Sequence, residues 1–107
     1  MRIVARRTLR EYVDSLAGDA GQVAVKNALD AWFDEVSRAH WANMNEVKRH
    51  YRNASVVNAE RIVFNIKGND HRLVVAVDFE KAAVWIKWLG SHKAYDRINA
   101  GTIEHGR

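Results

Sequence analysis

The chain contains no cysteine and no proline, and no apolar run approaches the ~20 residues that a membrane-spanning helix needs. Without cysteine, disulfides and thiolate chemistry are excluded. Without proline, none of the predicted helices contains a residue that lacks a backbone N–H. The first residues, MRIVARRTLREYV, also lack the apolar segment of a signal peptide. We therefore expect a soluble cytoplasmic protein with no membrane partner, and its 107 residues correspond to a single domain spanning 1–107.

The common motifs for metals and bound cofactors are also missing. The histidines do not show the His-x-x-x-His spacing of a helical zinc site, and cysteine ligands are excluded. The sequence has neither a glycine-rich phosphate loop nor a Gly-x-Ser-x-Gly nucleophile elbow. We therefore expect no metal and no cofactor. The histidines are His40, His50, His71, His92 and His105.

The chain carries a modest excess of positive charge. Seventeen Lys and Arg residues stand against thirteen Asp and Glu residues, which gives a formal net charge of +4. A small basic protein can bind nucleic acid through the phosphate backbone. Many soluble proteins have a similar excess, so charge alone admits a nucleic-acid partner without identifying one.

Hydrophobic periodicity divides the chain into a helical first half and a strand-rich second half. The segment MRIVA predicts a short edge strand, and TLREYVDSLA predicts a helix with Thr8 as its N-cap. Helical spacing of apolar residues predicts a second helix in QVAVKNALDAWFDEVSRAHW and a short third helix in NMNEVKRHYRN.

From about Val56 the apolar residues alternate with a period of two. The segments RIVFNI, HRLVVAVDF and VWIKWL are separated by turns and predict three antiparallel strands. A last short helix should begin near Ser91 or Tyr95 and end at Ala100. The predicted fold class is α+β, with N-terminal helices packed on a three- to four-stranded, mainly antiparallel sheet and a short C-terminal helix.

Strand register can be predicted from the turn at KGND. If Gly68 and Asn69 form a two-residue hairpin turn, Asn65 lies opposite Arg72. Side chains alternate between the two faces of a sheet, so one face should form the core and the other should carry polar groups. The expected core residues are Phe64, Ile66, Leu73, Val75, Val77, Phe79, Val84, Ile86 and Trp88. The expected polar residues are Asn65, Lys67, Arg72, Asp78 and Lys87.

Two basic groups are candidate sites for phosphate. On the sheet, Arg72 and Lys87 beside Asn65 could hold a phosphate, although polar residues occupy any solvated sheet face. The run KRHYR, which spans 48–52, combines cations with a tyrosine and could bind single-stranded RNA. Its alternative interpretation is a solvated helix face whose apolar residues pack inward. The candidates in these two groups are Asn65, Lys67, Asn69, Arg72 and Lys87, and Lys48, Arg49 and Arg52.

The segment SHKAYD places groups that can transfer protons directly after the last predicted strand. Histidine as a residue type suits general acid–base catalysis near neutral pH, and Lys93 and Tyr95 lie beside His92. The alternative interpretation is a helix start in which Ser91 is the cap and the tyrosine ring packs against the protein.

The segments FNIKGNDHRL and SHKAYD, in this order, resemble two motifs of HigB-type toxins from bacterial type II toxin–antitoxin modules, which belong to the RelE-like superfamily. The first segment corresponds to the family pattern Phe-Asn-x-x-Gly-Asn-x-x-Arg, and the second to Thr-His-x-x-Tyr-Asp. Ser91 replaces the usual threonine and keeps a hydroxyl group. The matching positions are Asn65, Gly68, Asn69, Arg72, His92, Tyr95 and Asp96.

The resemblance implies a RelE-like fold and an endoribonuclease that cleaves messenger RNA, usually on the translating ribosome. It also implies an inhibitory HigA-type antitoxin with a helix-turn-helix domain, bound in a toxin–antitoxin hetero-oligomer. The expected catalytic residues are His92 as acid or base, Lys93 or Tyr95 in proton transfer or stacking, and Arg72 with Lys87 on the phosphate. The alternative is a non-catalytic RNA- or protein-binding module that uses the same basic face.

Overall fold

The computed structural model describes residues 1–104 and confirms the predicted α+β class. Five strands form one sheet in the order β1-β5-β4-β3-β2, in which β1 is parallel to β5 and the other neighbours are antiparallel. The elements are β1 (Arg2–Val4), α1 (Arg6–Ser15), α2 (Gln22–Arg38), α3 (Met44–His50), β2 (Ser55–Val56), β3 (Arg61–Ile66), β4 (His71–Asp78), β5 (Ala83–Ser91) and α4 (His92–Tyr95).

The first helix begins earlier than predicted. Its N-cap position is Ala5, which has an extended backbone and no side-chain acceptor, so the prediction of Thr8 as the cap was wrong. The chain passes from β1 into α1 with only this residue between them. The third helix has a side-chain cap: Asn43 accepts a hydrogen bond from the backbone N–H of Glu46, and the Glu46 carboxylate accepts one from Ala42.

The three larger helices cover one face of the sheet. Their apolar residues Leu29, Trp32 and Val47 are buried against strand residues that include Phe64 and Leu73. We call this side of the sheet the core face and the opposite side the outer face. Trp41, which lies between α2 and α3, is also buried and stacks on Phe64 at 6.3 Å between ring centroids.

The β3–β4 hairpin has the predicted register, with Phe64 opposite Leu73 and Asn65 opposite Arg72. The β4–β5 pair is irregular, because Val75 pairs with Ile86 whereas Val74 pairs with Trp88. Lys87 is the extra residue of this β-bulge.

The bulge moves Trp88 to the outer face, so the prediction that it lies on the core face was wrong. There it packs with Val63, Val74 and Ala100, and the chain after α4 folds back to complete this small outer cluster. The last helix is capped by Ser91, as predicted, but ends at Tyr95 rather than Ala100. None of the helices between residues 1 and 104 has the length and apolar character needed to cross a membrane.

We expect the substitution Phe64→Ala to lower the free energy of unfolding by about 3–5 kcal/mol, the usual effect of removing a buried aromatic side chain. Phe64 is 1% exposed and lies at 5.5 Å from Trp32 and 5.0 Å from Tyr51 between ring centroids. Urea denaturation followed by circular dichroism measures the change. Val23→Ala is the control, because Val23 is 67% exposed and should have an effect close to zero.

Candidate active site

The ends of β4 and β5 hold the SHKAYD segment close to the hairpin loop. In this register Arg72 lies opposite Gly90, and His71 lies opposite Ser91. The Ser91 hydroxyl accepts a hydrogen bond of 3.1 Å from the backbone N–H of Ala94, which starts α4. The backbone N–H of His92 donates to the carbonyl of Asp70 in the hairpin loop at 2.9 Å. Backbone contacts and a cap therefore fix where α4 begins.

The guanidinium group of Arg72 is the centre of the polar cluster on the outer face. Its Nη2 donates to Asn69 Oδ1 at 2.8 Å and lies 3.3 Å from His92 Nδ1. Its Nη1 donates to the carbonyls of Asn69 and His71 at 2.9 and 3.3 Å. The guanidinium carbon also lies 5.9 Å from the centroid of the Tyr95 ring. His92 and Tyr95 therefore both lie beside Arg72 on the outer face, while Ser91 caps the helix and the Tyr95 ring packs on the small outer cluster, as the alternative interpretation predicted.

The hydrogen-bonding partners of the Arg72 side chain among residues 1–104 are two carbonyls, an amide oxygen and an imidazole nitrogen. No carboxylate in this part of the chain neutralises its charge. His92 is exposed, whereas Arg72 and Tyr95 are half-buried. The cluster therefore presents an oriented cation and an imidazole to solvent at the same point.

Lys87 lies on the outer face, as predicted, but it is paired with a carboxylate. Its Nζ donates to Glu104 Oε1 at 2.9 Å, and Glu104 Oε2 accepts from Nη2 of the buried Arg61 at 2.8 Å. The hydrogen bond from Lys87, with a smaller contribution from Arg61, lowers the pKa of Glu104. Sequence reasoning did not find this partner, because Glu104 is seventeen residues away in a segment without periodicity.

Of the two other candidates on the hairpin, Asn69 belongs to the Arg72 cluster and Lys67 does not. Asn69 reaches Arg72 through both its carbonyl and its side chain. Lys67 was predicted on the same face as Arg72, and this was wrong. It has a positive φ of 53° in the turn, and its ammonium group lies 3.5 Å from Asp70 and close to Gly21 before α2. The backbone turn redirects this side chain towards the helices.

The basic run on α3 is separate from the Arg72 cluster, because α3 packs on the core face. Lys48 donates to the carbonyls of Arg52 and Ala54 at 2.9 and 2.6 Å, so it caps the end of the helix. Arg49 and Arg52 are exposed. Tyr51 packs against the core and donates to the Glu35 carboxylate. This arrangement matches the interpretation of a solvated helix face with an apolar inner side.

The sequence reasoning missed a contact that joins α1 to the strand carrying Arg72. The hydroxyl of Tyr12 lies 2.6 Å from His71 Nδ1, and the two rings meet edge to face at 5.6 Å. Burial lowers the pKa of His71 and raises the pKa of Tyr12, so the neutral form of each is favoured. The available signal was a histidine at a position of β4 that faces the core, where an apolar residue is expected.

Within residues 1–104 there is no group of three or more His, Asp or Glu side chains arranged to hold a metal ion.

The fold and the two motifs define an α+β protein of the RelE-like class, and comparison with protein families specifies it further. Residues 25–98 match the family model of the HigB toxin, described as the RelE-like toxic component of a toxin–antitoxin system. The chain therefore belongs to the HigB toxin family, which confirms the resemblance found in the sequence. As a toxin of a toxin–antitoxin system, it has an antitoxin as its partner. No match was found among curated proteins.

The carboxylate of Glu104 should make the stability of the protein depend on pH in the acidic range. Its pKa in the folded protein is lowered from the ordinary value of 4.5, so its stabilising contribution is present above that value. The contribution is lost as the pH falls through the lowered pKa. Glu104→Gln should therefore lower the melting temperature at pH 7, and the difference from the parent should vanish at strongly acidic pH.

Thermal unfolding by circular dichroism between pH 7 and pH 2 measures this difference. Glu80→Gln is the control, because Glu80 is exposed in the turn before β5. A difference for Glu104→Gln that is independent of pH would contradict the assignment of the effect to its ion pairs.

Proposed function

We propose that this toxin is a metal-independent messenger RNA endoribonuclease that acts on the translating ribosome and thereby inhibits translation. The observation that carries the proposal is the contact of the Arg72 guanidinium with both His92 and Tyr95 at one exposed point of the outer face. Membership of a RelE-like toxin family also supports the proposed ribonuclease activity.

RNA can be cleaved without a metal because it contains its own nucleophile. The 2′-oxygen forms a bond to the adjacent phosphorus while the bond from phosphorus to the 5′-oxygen breaks, which leaves a 2′,3′-cyclic phosphate. A base takes the proton from the 2′-hydroxyl, and an acid gives a proton to the departing 5′-oxygen. A cation stabilises the additional negative charge on the phosphate oxygens in the transition state.

In this scheme Arg72 binds the scissile phosphate. Among residues 1–104 none of its hydrogen-bonding partners is a carboxylate, so a phosphate would give it an anionic partner, and such charge-assisted hydrogen bonds are the stronger kind. Asn69 orients the guanidinium, and Asn65 lies beside Arg72 in register. Lys87 can join the phosphate only after it releases Glu104.

His92 is the proposed proton carrier. Its Nδ1 is the nitrogen that lies against Arg72, which leaves Nε2 for proton transfer to or from the RNA. Tyr95 or Lys93 serves as the second proton-transfer group; Lys93 is exposed and Tyr95 is half-buried. Lys48, Arg49 and Arg52 are not part of this proposed site, because α3 lies on the other side of the sheet.

The variants Arg72→Ala, His92→Gln and Tyr95→Phe should each slow RNA cleavage, and His92→Gln and Tyr95→Phe should do so without weakening binding. Loss of one proton-transfer group typically lowers the rate ~10²–10⁴-fold. Single-turnover cleavage of messenger RNA on programmed ribosomes, at saturating toxin and at several pH values, measures the chemical step. Binding of the toxin to the same ribosomes is measured in parallel.

Arg97→Ala is the matched control, because Arg97 is an exposed cation two residues after Tyr95 and outside the proposed site. Circular dichroism establishes that each variant is folded. If the parent binds the ribosome without cleaving RNA, the chain is a non-catalytic binding module. If the parent cleaves and all three variants do so at its rate, the catalytic groups lie elsewhere.

We further propose that the antitoxin is of the HigA type, with a helix-turn-helix domain, and forms a stable hetero-oligomer with the toxin in the cytoplasm. Co-expression with the product of the neighbouring gene should yield a complex that survives size-exclusion chromatography. Expression of the toxin alone should arrest growth, and the antitoxin should relieve this arrest. Free growth during strong expression of the folded toxin alone would contradict the proposal.

A further inference from the structure

We propose that Trp88, together with the ring of Tyr95, forms a stacking platform for one nucleobase of the RNA next to the phosphate held by Arg72. This inference rests on the function proposed above and adds a binding site for a base to a site so far described only for a phosphate. Its basis is the way the fold places the indole ring.

The β-bulge at Lys87 determines which face of the sheet carries the indole. Strict alternation along β5 would direct Trp88 to the core face together with Val84 and Ile86. The bulge instead places Trp88 opposite Val74 on the outer face, where Arg72 also lies. Bulges often redirect a side chain next to a functional site, at the expense of regular pairing.

Gly90 allows the indole to lie across the strand towards Arg72. A Cβ atom at position 90 would lie 2.4 Å from Cη2 and 2.6 Å from Cζ2 of Trp88, distances that no side chain could accept. Gly90 is also the residue directly opposite Arg72. The six-membered ring of the indole therefore occupies the space beside Arg72 that a side chain at position 90 would fill. Glycine inside a strand often marks such a close approach.

Two aromatic rings and one cation meet at this place. The ring centroids of Trp88 and Tyr95 are 6.2 Å apart with an angle of 51° between the ring planes. The guanidinium carbon of Arg72 lies 5.9 Å from the Tyr95 centroid. Trp88 and Tyr95 are both half-buried, and they pack with Val63 and Val74 of the sheet and with Ala100 of the segment after α4. The rings are thus held in place and are still partly accessible.

This combination suits a nucleotide better than a phosphate alone. Proteins bind unpaired bases by stacking them on aromatic rings, and a cation beside the ring holds the backbone. A phosphate on Arg72 would bring the base of an adjoining nucleotide within reach of the platform. Because every base has an aromatic face, the platform should add affinity at one position without strict sequence preference.

The competing explanation is that Trp88 only covers the outer cluster. Leucine at this position would retain an apolar cover but could not stack on a base, whereas phenylalanine would retain part of the stacking surface. We therefore compare the parent, Trp88→Leu and Trp88→Phe. Trp85→Leu is the matched control, because Trp85 is a second half-buried tryptophan of β5 on the outer face, near Lys87 rather than Gly90.

The probe is a set of single-stranded DNA oligonucleotides, which lack the 2′-hydroxyl and cannot be cleaved by the proposed reaction. One member is complete, and each other member lacks the base at one position. Fluorescence anisotropy measures the Kd of each protein for each member. For the parent, removal of the base at one position should weaken binding roughly 5- to 100-fold, the usual range for one stacked base.

In Trp88→Leu this loss should disappear, and the complete oligonucleotide should bind as weakly as the one without that base. In Trp88→Phe, removal of the same base should weaken binding less than it does in the parent. This result tests the stacking platform even if the leucine variant does not fold. Trp85→Leu should behave as the parent. The inference is overturned if the parent binds no oligonucleotide, shows no sensitive position, or shows the same loss in all variants.

The outcome is separate from the test of cleavage, since no reaction occurs with this probe. A parent that cleaves RNA but shows no sensitive base position retains the proposed function and lacks the platform. A parent with a sensitive position that depends on Trp88 but without cleavage has the platform and lacks the proposed activity.

Discussion

The pairing of β4 with β5 is the constraint on which the polar cluster depends. It joins the central strands of the sheet and sets Gly90 opposite Arg72 and Ser91 opposite His71. The cap on Ser91 then begins α4 directly at the strand end, and the backbone of His92 is held by the hairpin loop. A shift of this pairing by one residue would reverse the faces of the strand side chains and separate Arg72 from its neighbours.

Local patterns in the sequence predicted those features that depend on neighbouring residues. The hairpin register, which follows from a short turn and strict alternation, correctly placed Asn65 opposite Arg72. The cap at Ser91 was also predicted correctly. The prediction for Trp88 was wrong because alternation cannot anticipate an extra residue in one strand, and Lys67 was misplaced because its turn has a positive φ.

Contacts between distant parts of the chain could not be predicted from local sequence patterns. Glu104 meets Lys87 across seventeen residues, and Tyr12 meets His71 across fifty-nine. Neither pair leaves a periodic signal, because each is created only when separate elements pack on the sheet. The family motifs were informative because they consist of positions that the fold brings together. The basic run on α3 was interpreted from its composition alone, which does not show what lies near it in the fold.

The pairing of Lys87 and Arg61 with Glu104 also changes the electrostatic character of the outer face. Glu104 behaves as a counterion that is part of the chain, so it reduces the positive potential over one half of this face. Within residues 1–104, Arg72 at the other half has no carboxylate among its hydrogen-bonding partners. A polyanion of the kind proposed above would therefore meet an arginine without a carboxylate partner at the end that carries the imidazole and the aromatic rings.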